Sequence, residues 1–99
     1  MAQTQITGYD VIYSSNTFPR RIGLLNGNRF IGQLIFMPNG STLPTDGPIG
    51  GQVSLYYHLE DFENVLAVLS REKVVNFFFN GAGPSNENGI TTGAENLGT

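Results

Sequence analysis

The chain has 99 residues and a formal charge of −3, with 39% hydrophobic and only 13% charged residues, 13 glycines and no cysteine. That length holds one domain rather than two, the low charge and high glycine content favour a β-rich fold, and the missing cysteines exclude disulfides, thiolate catalysis and cysteine-held zinc or iron–sulfur sites. A small negative charge gives no long-range attraction to phosphate backbones or anionic lipid, so neither nucleic acid nor a membrane is the expected partner.

Residues 1–6 carry neither the basic region nor the long apolar run of a secretory signal. No window approaches the ~18 apolar residues of a membrane span, so a soluble, cytoplasmic protein is expected. Residues 5–13 read as a first strand, with Tyr9, Val11 and Tyr13 on one side and Ile6 and Ile12 on the other. Ser14, Ser15 and Asn16 are turn formers, and Pro19 suits the start of a strand but not a central ladder. A second strand follows over residues 20–25. Asn26-Gly27 predicts a type I′ hairpin, whose two central positions both need positive φ.

The third strand runs over residues 29–37. Phe30, Leu34 and Phe36 face one way while Ile31, Ile35 and Met37 face the other, so burial on both faces is expected. Residues 38–51 hold three prolines and four glycines, a content that predicts a long loop without a regular element. Residues 52–57 alternate as a fourth strand. A helix begins near Leu59, with Glu60, Asp61 and Glu63 in its first turn and Arg71 and Lys73 in its last, charges that complement the macrodipole. Phe62, Val65, Leu66 and Leu69 form the stripe that must face the sheet.

Residues 74–79 give a fifth strand. Residues 82–99 have Ile90 and Leu97 as their only large apolar side chains and read either as a Gly/Asn-rich tail or as a short edge strand near Ile90 followed by one. The expectation is therefore an α+β domain over residues 1–81, an antiparallel sheet of four to five strands with one packed helix in the order β-β-β-β-α-β. One helix covers one face of such a sheet, yet several strands are apolar on both. The second face must be covered by curling of the sheet, by the 38–51 loop or by a second copy of the chain. A twofold homodimer is the expected solution.

Few residues suggest chemistry. His58, the only histidine, lies beside Glu60 and Asp61, but no Ser, Cys or second His stands at a catalytic spacing, so it reads as a helix-entry residue. Glu60, Asp61 and Glu63 lack the glycine-containing turn of a calcium loop and read as a solvated helix start. Gly81-Ala82-Gly83 follows a strand as a nucleotide-binding turn does, but Pro84 and the missing third glycine oppose that reading. Thr91-Thr92-Gly93 is ordinary loop material. No catalytic residue, metal site or cofactor is assigned. The remaining set is Arg20, Arg21 and Arg29 around the hairpin, with Tyr9, Tyr13 and Tyr56 on neighbouring strands. Tyrosine with arginine suits stacked bases and phosphates, and equally suits a protein interface.

The succession of four strands and a helix resembles the β-β-β-β-α units of the Whirly and PUR single-stranded-DNA-binding regulators, whose sheets pair about a twofold axis. In its residues the chain resembles a group of small uncharacterised bacterial proteins, through Leu55-Tyr56-Tyr57, Phe62, Val65-Leu66, Leu69, Glu72-Lys73, Phe79-Asn80-Gly81, Gly89-Ile90, Thr92-Gly93 and Glu95. That likeness transfers no catalytic or binding residue. The leading expectation is a non-enzymatic, homodimeric interaction domain. Its sheet faces, rimmed by Tyr9, Tyr13, Tyr56 and Arg21 and flanked by the long loop, would meet a protein partner. The alternative is a single-stranded nucleic-acid binder in which Arg20, Arg21 and Arg29 position phosphates and the tyrosines stack.

Overall fold

The computed structural model describes residues 3–49, 52–83 and 85–93, with Ile49 described for its backbone only. Gly50, Gly51 and Pro84, and the end of the tail with Glu95 and Leu97, lie outside the described residues. In chain order the elements are β1 (Gln3–Ile6), β2 (Gly8–Ile12), β3 (Arg20–Asn26), β4 (Arg29–Met37), β5 (Gly47–Ile49), β6 (Gln52–His58), a 3₁₀ turn (Leu59–Asp61), α1 (Phe62–Arg71), β7 (Val75–Phe78) and β8 (Gly89–Thr91). The domain is α+β, with one helix among the described residues. Its strands form two sheets rather than one, in the orders β2-β3-β4-β6-β5 and β1-β7-β8.

The expected first strand is divided between the two sheets at Thr7. Its first half pairs with β7 and its second with β3, both antiparallel. Thr7 holds the corner: its N–H donates to the Leu25 carbonyl at 2.8 Å, and its Oγ1 accepts from the Gly27 N–H at 2.6 Å. The Asn26 side-chain amide adds a bond to the Gln5 carbonyl at 2.7 Å. A bent strand tied at its bend lets the small sheet fold over the large one. Neither the bend nor its fasteners are visible in the alternation of residues 5–13.

The β3–β4 hairpin closes differently from the type I′ expectation. Asn26 pairs with Arg29, so the two turn residues are Gly27 and Asn28. Gly27 has φ +61°, and no described residue other than glycine has positive φ, the pattern of a type II′ turn with glycine first. A bulge follows, where Leu24 pairs with Gly32 but Leu25 pairs with Phe30. The extra residue, Ile31, reverses the alternation. Phe30 thus lies beside Gly23 on the outer face, half-exposed, instead of sharing a side with the buried Leu34 and Phe36.

The long loop is also more regular than its proline and glycine content predicts. β5 forms within it and pairs antiparallel with β6 at the sheet edge, where Pro48 needs no ladder N–H on its open side. β6 inserts between β5 and β4 and runs parallel to β4, so the sheet is not wholly antiparallel. Beyond the end of β5, Asp46 takes over the ladder: its Oδ1 accepts the Tyr56 N–H at 2.8 Å, and its Oδ2 accepts from Asn88 at 3.3 Å. The helix starts as a 3₁₀ turn capped by Asn39, whose Oδ1 accepts the Glu60 N–H at 2.7 Å. It ends at Arg71, with Lys73 beyond it.

The core gathers Ile22, Leu24, Leu34, Phe36 and Leu55 from the inner face of the large sheet. Phe62, Val65 and Leu69 of α1 and Val75 and Phe77 of the small sheet pack onto them. The two sheets approach closely at Gly32, where a Cβ would sit 3.0 Å from the Phe77 ring. Helix and small sheet thus share one side. β8 adds an edge to the small sheet through Phe77 and Ile90. The outer face of the large sheet is bordered by Phe18, Pro19 and Pro44, which leave a groove of about 510 Å³ over Ile35 and Tyr56. No described helix is long and apolar enough to cross a membrane.

Candidate binding site

Among the described residues, the segment between β2 and β3 builds the most exposed large apolar side chains. The Asn16 side chain accepts the Phe18 N–H at 3.0 Å, a local turn that lifts Phe18 away from the sheet. Pro19 then fixes the entry to β3, and Arg21 donates to its carbonyl at 3.2 Å. Phe18 remains 65% exposed and Tyr13 62%. Phe18 is a ridge between two depressions, the outer-face groove over Tyr56 and a second pocket at the inner side of the same sheet end.

The second pocket has a volume of about 460 Å³ and is walled by Tyr13, Phe18, Arg20, Phe36, Met37 and Leu59, with Ser14 and Thr17 supplying hydroxyls. Strand alternation places Arg20, the first residue of β3, on the inner face above Phe36, with which it pairs. Its guanidinium carbon lies 4.9 Å from the Tyr13 ring centroid and 4.8 Å from that of Phe62. Phe62, the first residue of α1, meets Phe36 edge to face at 5.0 Å, and Phe36 stacks on Tyr57 at 5.5 Å. An aromatic chain therefore runs from the surface to the core, with one cation inserted near its outer end.

The six residues singled out by sequence are not gathered into one surface. Tyr13 and Arg20 share the inner pocket, while Arg21 and Tyr56 line the outer groove. Arg29 stands at the hairpin end, about 20 Å along the strands from Arg20. Tyr9 packs against the core. Two arginines adjacent in sequence point to opposite faces because the strand period is two. Phe62 and Leu59 were not singled out as site residues, and their approach to Arg20 is a tertiary contact. Phe18 carried a signal, an aromatic stranded between turn formers and a proline.

The other candidates are occupied by the fold itself. His58 donates through Nε2 to the Ser41 carbonyl at 2.7 Å, tethering the loop after β4. Glu60, Asp61 and Glu63 are exposed, and the described residues contain no group of three or more His, Asp or Glu placed to hold a metal ion. The carbonyls of Gly81 and Ala82 accept from Asn88 and Asn86 at 3.0 and 2.9 Å, so this turn is stapled by asparagine. Thr91 accepts from the Gly93 N–H within its own turn. Burial, helped by the Asp46 and Asp61 carboxylates, pushes the Tyr57 phenol up to about 12.

The fold and site together define a small α+β domain with an aromatic, arginine-bearing end. No family model matches the chain, and neither do the curated proteins or the solved structures.

Proposed function

We propose that this chain is a non-enzymatic interaction domain that works as a homodimer, with the outer face of the five-stranded sheet as its contact surface. The observation that carries this reading is the composition of that face. Ile12 and Phe30, each 40% exposed, share that face with the buried Ile35, separated from it by Arg21 and Gln33, and Phe18 stands at its border. The helix and the small sheet both pack on the opposite side. Solvated apolar side chains on one face favour burial against a complementary surface.

Charge supports self-association. In a chain of net −3, the described strand residues of this face carry one acid, Asp10, and one base, Arg21, so two copies meet without net repulsion. A twofold axis needs only that the surface complement itself, and opposite charges on one patch satisfy this. The Phe18 ridge and Tyr56 at the border of the same face, with aromatic and arginine anchors of the kind that dominate interfaces, then meet a further protein partner.

Light scattering at tens of micromolar tests the dimer. The expected mass is about twice the 10.7 kDa of the chain. Ile12→Asp together with Phe30→Asp should return a monomer with an unchanged circular dichroism spectrum, since both side chains are already half in solvent. A monomeric wild-type protein refutes the reading.

A further inference from the structure

We propose that the pocket between the Tyr13–Phe18 segment and the start of α1 is a site for a small monocarboxylate with an apolar body, held by the edge of the Arg20 guanidinium. This site lies on the inner side of the sheet and meets the border of the dimer face at the Phe18 ridge. The reasoning begins with the geometry of the cation. The Tyr13 and Phe62 rings lie 4.9 and 4.8 Å from the guanidinium carbon and 5.9 Å from each other, so both sit to one side of it. Rings on one side leave the N–H donors of the opposite edge unspent.

None of the described residues supplies those donors with a carboxylate, a carbonyl or any other hydrogen-bond acceptor; the recorded interactions of Arg20 are the two ring contacts. Beside two aromatic rings the half-buried Arg20 is partly sheltered from water, which strengthens the hydrogen bonds its edge donates to a ligand. A carboxylate matches that edge with two parallel bonds. A phosphate, with more charge and more oxygens, calls for more than the single cation found here.

The rest of the pocket selects the ligand's body. Phe36, Met37, Leu59 and Phe18 make its walls apolar, while Ser14 and Thr17 stand as the polar groups that fix orientation. A volume of about 460 Å³ falls in the range of about 300–1,000 Å³ common to small-molecule sites. It accommodates an aryl or medium-chain aliphatic acid and no long polymer.

The test is calorimetric titration of the purified chain with 2-naphthoate and with octanoate, using 2-naphthalenemethanol as the uncharged counterpart and inorganic phosphate as competitor. The expected result is that the carboxylates bind, that the alcohol binds about tenfold or more weakly, the scale of a charge-assisted hydrogen-bonded pair, and that phosphate does not compete. Arg20→Lys, which keeps the charge but loses the planar fork, should weaken binding, and Arg20→Met should weaken it further. Amide shifts on the wild-type chain locate the ligand independently of any variant and should fall on Tyr13, Phe18, Arg20 and Leu59 rather than on Ile12 and Tyr56. Absence of binding by both acids, equal binding of acid and alcohol, displacement by phosphate, or shifts confined to the outer face each overturns the proposal. Ile12→Asp with Phe30→Asp should leave the titration unchanged, so failure of the dimer and failure of this site are separable.

Discussion

A methyl at Gly32 would lie 3.0 Å from the Phe77 ring and 3.1 Å from the Val53 carbonyl oxygen, tight enough that these neighbours must shift to admit it. Gly32→Ala should therefore cost about 1–3 kcal/mol through overpacking between the sheets. At Gly8 the nearest atom to such a methyl is Leu25 at 3.8 Å, an ordinary contact, and Gly8→Ala should be close to neutral. Urea midpoints for the two variants measure the difference, and equal shifts would mean the sheets do not press together at Gly32. The Tyr57 phenol gives a second residue-scale expectation. Its folded value of about 12 exceeds the ordinary 10.0, so the folded chain holds this proton more tightly than the unfolded chain does. The associated stability is complete below pH 10 and is lost as pH rises from 10 through about 12. Tyr57→Phe keeps the ring on Phe36 and should flatten that decline in alkaline denaturation. The two arginines teach a smaller lesson: they are adjacent in sequence, but their assignment to opposite faces needed the strand bounds.

At the scale of elements, α1 was readable because its stripe repeats at the helical period. Phe62, Val65 and Leu69 are buried, while Leu66, on the edge of the stripe, is half-buried. Leu69→Ala should cost about 2–5 kcal/mol and Leu66→Ala clearly less, compared by thermal unfolding. Equal costs would rotate the helix face from where it is placed. The bounds of β4 agree with residues 29–37 because turn signals mark both of its ends. Its facing does not agree along its whole length, because one bulge residue inverts everything before it. β5 escaped notice because three residues held by pairing to β6 and by the Asp46 carboxylate leave no periodic trace among prolines and glycines.

For the whole molecule, the arrangement of layers decides where apolar surface remains. A helix and a small sheet on the inner side leave Ile12, Phe30 and Phe18 in solvent on the other, which is why a mass measurement belongs at this scale. The corner at Thr7 makes that arrangement: without it, residues 3–12 would continue as one strand and the small sheet would not reach the core. The α+β class, the helix with its buried stripe and most strand positions can be read from the residues alone, because hydrophobic period, turn residues and charge at helix ends are local properties. The two sheets, the parallel run of β4 and β6, and the approach of Arg20 to both Tyr13 and Phe62 arise only in the folded chain. Those features depend on contacts between residues far apart in the chain, such as Arg20 with Phe62 and Gly32 with Phe77, whose energies no local pattern records.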